Sequence, residues 1–251
     1  MTQSAELHPL HRADGSATYT SSLTTILAAV NGPVEVTRRD EIPDAAAIEV
    51  NVRPSSGVGG PRERWLESVI ASTLRSVVLV HLHPRTLVQV TLQVTKDIGT
   101  DGGVKMKKGL KDVAIIPGLV NAAFAALVDS GLPLEQTVVA GLGILGADGQ
   151  VVTAPTEKQV TACKSLHAVA FAIVGEEVGL LLNESAGMFG LEEWKMVEEV
   201  LRKEAVEAVA KSEDEDEVME VDELEGKKGA WLREAMEESV RKGEAWRRES
   251  G

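Results

Sequence analysis

Cysteine and the smaller aromatic residues are scarce in this sequence, and a membrane-length apolar run is missing; each shortage argues against a class of protein. A single cysteine, Cys163, excludes an intrachain disulfide and a zinc site built from several cysteines. One tyrosine and three phenylalanines leave little for base stacking on aromatic rings. The longest apolar run, Val113 to Val128, is interrupted by Pro117 and Gly118 and is shorter than the roughly 20 residues that cross a bilayer, which predicts a core helix and no membrane partner.

Clustered positive charge is also missing. The net charge is −13, and from Ser212 onward the chain carries 14 acids against 7 bases. Because nucleic-acid binding over a broad surface depends on clustered Lys and Arg, this balance argues against an isolated RNA-binding protein. The acidic composition predicts a disordered tail over residues 212–251, in which residues 230–248 have helical spacing and form a helix only when docked on something. The tail is either solvated or bound to a partner.

The start of the sequence carries no export signal. The first 16 residues lack the basic, apolar and small-residue zones of a secretory peptide, which together with the single cysteine predicts an intracellular protein. Residues 1–12 are predicted to be flexible. Apolar residues make up 43% of the chain, which is enough to bury a substantial core in the part that follows.

Apolar spacing predicts an α+β domain over residues 13–211. Residues 16–53 alternate β-prone segments with turn signals and are predicted to form three antiparallel strands, with a turn at Asn31-Gly32-Pro33. Spacing of three to four residues over positions 65–78 predicts an amphipathic helix. Strict alternation in residues 87–95 predicts a strand with one buried face.

The second half of this domain is predicted to continue with helices around further strands. Residues 99–113 are rich in Gly and Lys without periodicity, which predicts an exposed, inserted loop between the halves. The elements predicted after it are a small-residue helix at 115–130, strands at 137–145 and 151–153 joined by an Asp148-Gly149 turn, two more strands, and a helix at 191–210.

Two motifs suggest chemistry that their context does not favour. Residues 141–146, GLGILG, match the GxGxxG pattern of dinucleotide sites, but β-prone residues follow where that pattern requires a helix. A Gly-rich strand entering a hairpin is therefore preferred. His81 and His83 could share a metal, yet a catalytic zinc needs three protein ligands and no third candidate is near in sequence. We predict neither a metal nor a cofactor.

Arg62 and Arg64 form the strongest candidate site. They follow a glycine-rich loop in the first turn of the predicted helix, where free N–H groups and the helix dipole favour anions and an arginine adds a bidentate phosphate donor. Together with Arg53 they are predicted to contact RNA phosphate. The alternative is that Arg62 is a surface arginine paired with Glu63 or Glu67.

Successive segments of the chain resemble the RNase PH family over about residues 13–210. The segments that carry the resemblance are GSATYTSSLTTILAAVNGPVEV, PRERWLESVIASTLRSVV, PGLVNAAFAALVDSGLPL and APTEKQVTACKSLHAVAFAI. Within the family they are most similar to the ring subunits of the eukaryotic RNA exosome. The resemblance implies an α+β fold like that of ribosomal protein S5 domain 2, with mixed sheets packed with helices.

Acids are absent where the resemblance implies catalysis. Phosphorolytic members carry Asp in the region equivalent to residues 159–168, and the matching positions here are Thr161 and His167. No acid occurs between Glu157 and Glu176, so a shifted alignment cannot recover one. The family's DPT segment is altered as well, since alanine replaces its Asp.

The phosphate site of the family is matched only in part. Arg62 corresponds to a phosphate-binding arginine, but the second half of that site is represented by LLNESAG at residues 181–187, where Glu184 would repel phosphate. A non-catalytic exosome ring subunit is therefore implied, with no catalytic residue. Its implied partners are other RNase PH-like ring subunits, cap subunits and RNA in the assembled channel.

The implied location is the nucleus and nucleolus, and also the cytoplasm. Two alternatives stay open. One is an active phosphorolytic 3′–5′ exoribonuclease, and the other is a free RNA-binding homodimer.

Overall fold

The computed structural model describes residues 3–99, 107–146, 148–175, 177–209 and 231–243. Within these ranges, segments rich in β-branched residues form nine strands. The strands are β1 (Ser4–Leu7), β2 (Gly15–Thr20), β3 (Thr25–Glu35), β4 (Ala47–Arg53), β5 (Thr86–Lys96), β6 (Thr137–Leu145), β7 (Val151–Thr153), β8 (Ser165–Val174) and β9 (Glu177–Gly187). They make a five-stranded sheet in the order β1-β2-β3-β5-β4 and a four-stranded sheet in the order β7-β6-β8-β9.

Six α-helices pack with these sheets in the described part of the chain, and a 3₁₀ turn at Val80–Leu82 precedes β5. The helices are α1 (Pro61–Arg75), α2 (Lys108–Ala114), α3 (Ile116–Asp129), α4 (Glu157–Ala162), α5 (Leu191–Glu207) and α6 (Trp231–Gly243). The α+β class predicted from the sequence is confirmed, because mixed sheets and helices share one hydrophobic core.

The first sheet corrects a predicted turn. β2 and β3 are antiparallel neighbours, as predicted, but Asn31-Gly32-Pro33 lies inside β3. The β3–β5 register shifts between Asn31 and Val34, which marks a bulge, and a proline without an N–H is tolerated there. The Gly32 N–H donates to Asp14 Oδ2 at 2.8 Å. β4 pairs in parallel with β5, so the predicted unit of three antiparallel strands is wrong in its third strand.

β5 confirms the alternating pattern. Its side chains at Val88, Val90, Leu92 and Val94 are at most 2% exposed, whereas the polar residues between them are half-buried. α1 covers the adjacent β4 with the apolar face predicted for it, but the helix ends at Arg75.

α3 lies between the two sheets and forms the centre of the core. Its residues from Ile116 to Leu127 are all buried, and it contacts β2 and β3 of the first sheet and β6 and β8 of the second. Helical residues Gly109–Asp129 are long and apolar enough to cross a membrane by composition, but 83% of that stretch is buried inside the fold. The predicted core helix is therefore confirmed.

The glycines of GLGILG bring α5 close to the second sheet. Alternate residues of β6 face opposite sides, so that Gly141 and Gly143 face α5 while their neighbours face α3. A Cβ atom at Gly143 would lie 2.7 Å from Val197, and one at Gly141 would lie 3.0 Å from Leu201. The next element is β7, so the interpretation as a strand entering a hairpin is confirmed.

Three segments differ from prediction or fall outside the described residues. The flexible segment predicted over residues 1–12 is wrong for Ser4–Leu7, which pair as β1 with β2. The exposed loop predicted over 99–113 is wrong for its second part, where α2 forms, and residues 100–106 lie outside the described ranges. The disordered tail predicted over 212–251 lies outside the described residues except for 231–243, where α6 forms and docks on the core.

Candidate functional site

The first turn of α1 satisfies its own polar groups. Gly60 is the N-cap, Pro61 follows it at the first helical position, and Glu63 Oε2 accepts a hydrogen bond from the Gly60 N–H at 2.7 Å. Glu67 accepts a hydrogen bond from the Val52 N–H at 2.9 Å and so ties α1 to β4. Both acids therefore have structural roles of their own.

Arg62 is enclosed by carboxylates. Its Nε donates to Asp112 Oδ1 at 2.6 Å and its Nη1 to Asp97 Oδ2 at 3.3 Å, while Nη1 lies 3.6 Å from Glu63 Oε1. Lys111 Nζ lies 3.0 Å from the same Asp97 oxygen. We call these five residues the Arg62 cluster. The Arg62 side chain is 16% exposed and that of Asp97 is 8% exposed, so water screens these pairs little.

The two cations of the Arg62 cluster already have partners within the chain. Among the described residues, three carboxylates surround Arg62 and Lys111, so the phosphate-binding face of Arg62 is taken up by acids of its own chain. Arg62 Nη2 is buried and has no hydrogen-bond partner among the described residues. The alternative prediction that Arg62 is paired with acids is therefore confirmed. Its main partners are Asp97 and Asp112 rather than Glu63 or Glu67, and the pairs are largely buried rather than at the surface.

Sequence reasoning found Arg62 but missed the acids that hold it. Asp97 and Asp112 each follow a lysine, and the two Lys-Asp pairs lie one before the segment predicted to be inserted and one near its end, in α2. That repetition is the signal that could have found them. The segment between β5 and α3 is anchored at both sides, because the Gly99 N–H donates to Glu157 Oε1 at 3.2 Å and α2 contacts β8 and β9.

The other two predicted arginines are placed differently. Arg53 is the last residue of β4 and Arg64 lies in α1, and both side chains are exposed. Within the described ranges neither forms an ion pair, so both are available to an external anion. Of the three arginines predicted to contact RNA phosphate, Arg62 is therefore paired with acids of its own chain, whereas Arg53 and Arg64 have no ion-pair partner among the described residues.

β8 carries two buried polar residues, Ser165 and His167, and no acid in the region where the resemblance implies catalytic acids. His167 is buried, its Nε2 lies 2.9 Å from Ser165 Oγ, and its Nδ1 lies 2.8 Å from Ser185 Oγ. The Phe189 ring meets the imidazole edge-on at 4.6 Å. Burial lowers the pKa of His167, because removal of water penalises the charged imidazolium. We call Ser165, His167 and Ser185 the His167 group.

The remaining positions implied by the resemblance have local structural roles. Thr161 lies in α4, where its Oγ1 donates to the Glu157 carbonyl at 2.9 Å. Ala154 has a φ of 49°, in a region that Asp and Asn occupy more readily than alanine. Glu184 lies in β9 opposite Ala168, so the LLNESAG segment belongs to the edge strand of the second sheet.

The histidines and the cysteine considered in the sequence do not form a reactive or metal-binding site among the described residues. His81 is exposed and His83 is half-buried at the 3₁₀ turn. In the portion of the chain that the structure covers, no three His, Cys, Asp or Glu side chains converge as metal ligands would. Cys163 Sγ donates to the Val160 carbonyl at 3.1 Å, and burial raises the pKa of this thiol, which keeps it protonated and poorly nucleophilic.

Comparison with known proteins agrees with the fold and with the resemblance. The model of the 3′ exoribonuclease family (RNase PH), domain 1, matches residues 3–133, just over half of the chain. The chain belongs to the RNase PH family. The matched range includes all five residues of the Arg62 cluster.

Curated members of the RNase PH family are similar along much of the chain. Exosome complex component RRP46 of Saccharomyces cerevisiae is 32% identical over 193 residues, which cover 75% of this chain and 83% of that protein. Exosome complex exonuclease RRP46 homolog of Oryza sativa is 38% identical over 165 residues, which cover 65% of this chain and 63% of that protein.

Solved structures show the same fold. The crystal structure of rice Rrp46 matches with a TM-score of 0.69 and 31% identity, covering 81% of this chain and 88% of that one. A chain of the Archaeoglobus fulgidus exosome with RNA bound to the active site matches with a TM-score of 0.60 and 15% identity, covering 79% and 83%. The second match supports the fold alone.

Proposed function

We propose that this chain is a non-catalytic subunit of the RNA exosome core ring. It pairs with other RNase PH-like ring subunits and with cap subunits, and it lines the channel through which RNA passes during 3′–5′ processing and degradation. The yeast and rice relatives are exosome components by name, and the rice structure supports the same architecture. The chain works in the nucleus and nucleolus, and also in the cytoplasm.

The observation that carries the non-catalytic part is the occupation of Arg62. A phosphorolytic centre must bind free phosphate, yet this guanidinium is held by Asp97 and Asp112 of the same chain. The stretch from Lys158 to Gly175, which spans most of α4 and all of β8, supports the same conclusion, because it holds no anionic group for a metal or a proton. Loss of the free phosphate site and of the anionic group together is expected to remove several kcal/mol of transition-state stabilisation, and each 1.36 kcal/mol slows a reaction about tenfold.

RNA contact in the ring is assigned to Arg53 and Arg64, with Arg62 joining them only if Asp112 is displaced. Both arginines are exposed and unpaired within the described ranges. Reversing the charge of both residues should lower crosslinking of RNA to the assembled ring. Arg75→Glu is the matched control, because Arg75 is exposed at the opposite end of α1. Unchanged crosslinking in the double variant would remove both residues from the proposal.

An active phosphorolytic exoribonuclease is the second candidate, because the rice and Arabidopsis thaliana relatives are named as exonucleases. It requires Arg62 to be released from its carboxylates when phosphate binds. A free RNA-binding homodimer is the third.

Copurification of the tagged chain with subunit identification and native mass distinguishes assembly from isolation. We expect a stable heteromer with other RNase PH-like subunits. A soluble monomer or homodimer that does not bind other RNase PH-like subunits when they are coexpressed would contradict the ring assignment.

A further inference from the structure

α6 is anchored in the core by its first turns. Trp231, Leu232 and Ala235 are 3%, 6% and 4% exposed, and the first two belong to the same apolar cluster as the residues of both sheets. Farther along the helix, Met236 and Val240 are 42% and 61% exposed. The helix is therefore fixed at its N-terminal end and presents its remaining length to solvent.

The anchor site is formed by β1 and β2. Ala5 of β1 lies opposite Tyr19 of β2 in the antiparallel register, and both side chains face the core. The Trp231 ring meets Tyr19 edge-to-face with centroids 5.0 Å apart. The Tyr19 hydroxyl accepts a hydrogen bond from Asn121 Nδ2 of α3 at 3.1 Å. One tyrosine thus connects α6 to the central helix.

β1 is the edge strand of the first sheet, and α6 lies against it. An uncovered edge exposes unpaired N–H and C=O groups, which pair with strands of other chains unless a helix, loop or charge prevents it. Beyond the anchor, α6 and β1 border a groove of about 370 Å³ lined by Glu6 and His8 on one side and Glu238 and Lys242 on the other. The contact between helix and edge is therefore incomplete.

We propose that α6 is a reversible cap on the β1 edge, anchored by Trp231, which keeps that edge from pairing with other chains. Trp231 Nε1 is buried without a hydrogen-bond partner among the described residues, so docking loses a bond that the undocked indole makes with water. A 13-residue helix is also marginal by itself, so undocking melts it. Both features favour undocking of α6, so burial of its apolar residues is what keeps the helix docked.

Trp231→Ala in the full-length chain tests the anchor. We expect the melting temperature to fall by roughly 5–15 °C, amide exchange in Ser4–Leu7 to accelerate at least about tenfold, and light scattering at high protein concentration to rise. Met236→Ala is the matched control on the same helix, and it should shift melting by no more than about 1 °C. If Trp231→Ala does not yield folded protein, Leu232→Ala is the milder variant with the same expected pattern.

Three outcomes contradict the cap. Equal melting temperatures for the Trp231 and Met236 variants would show that the anchor carries no stability. Exchange that accelerates equally in β1 and in β8 would show that Trp231 stabilises the whole core rather than the edge. A wild-type melting temperature that rises with protein concentration would show that the chain self-associates with α6 docked, which the cap is proposed to prevent.

Discussion

The Arg62 cluster and the His167 group occupy the two places where the RNase PH resemblance implies chemistry, and they differ in the charge of their side chains. In the Arg62 cluster the charges remain, but they neutralise one another within the chain. In the His167 group an imidazole lies between two serine hydroxyls, and no carboxylate belongs to the group. The first region is therefore held by ion pairs and the second by neutral hydrogen bonds.

The difference also predicts how each region responds to change. A largely buried ion-pair cluster depends on every partner, since removal of one leaves another charge unpaired away from water. A neutral hydrogen-bonded group tolerates loss of a partner better but resists protonation. The three predictions below test these two behaviours, beginning with the largest expected effect.

Arg62→Ala should lower the free energy of unfolding by about 3 kcal/mol, because Asp97 and Asp112 lose their shared cation in a poorly hydrated place. Arg64→Ala is the matched control on the same helix, and it should change stability by less than about 0.5 kcal/mol because Arg64 is exposed. Urea denaturation measures both. Equal urea midpoints for the Arg62→Ala and Arg64→Ala variants would show that solvent screens the Arg62 cluster. The proposed difference between the Arg62 cluster and the His167 group would then be wrong.

Asp112→Ala should open the Arg62 cluster to an external anion. Inorganic phosphate at tenfold its dissociation constant should then stabilise the variant by about 1.4 kcal/mol, while the wild-type chain gains nothing beyond a chloride control of equal ionic strength. Glu192→Ala serves as the control, because that side chain is 84% exposed. Equal stabilisation of the wild type by phosphate would show that Asp112 does not block Arg62.

The His167 group should make stability fall at mildly acidic pH. The folded state lowers the pKa of His167 below the usual value near 6.5, so below that pH the unfolded chain binds a proton that the folded chain excludes. Stability is therefore lost as pH falls, by at most about 1.4 kcal/mol per pH unit from this group. His167→Gln should remove that part of the slope between pH 7 and 5.5. An unchanged slope would indicate that the imidazole is protonated in the fold.

Local patterns predicted much of the fold. The alternation of β5 and the hairpin of β6 and β7 follow from short-range spacing, and the structure confirms them. The bulge in β3 was not predictable in the same way, because Asn31-Gly32-Pro33 has the composition of a turn and only pairing with β5 keeps it extended. α2 was missed because its Lys-rich sequence has no apolar period and its contacts are tertiary.

Of the candidate site, the sequence predicted the arginine but not the acids that pair with it. The glycine-rich approach to α1 indicated Arg62, but its partners Asp97 and Asp112 lie 35 and 50 residues away in sequence. No local rule connects positions so distant. The apolar neighbours of His167 in the sequence predict a packed core histidine, and its burial confirms this. Ser165 lies two residues before it on β8, but only the strand register brings Ser185 of β9 opposite it.

Release of nucleoside diphosphates from RNA tests the central claim most directly. The purified chain, alone and with its ring neighbours, is incubated with RNA, inorganic phosphate and a divalent metal. We expect no phosphate-dependent release above background, because Arg62 is occupied and β8 carries no acid. Phosphate-dependent release that disappears in Arg62→Ala but persists in Arg64→Ala would show an active phosphorolytic centre in this chain and contradict the account.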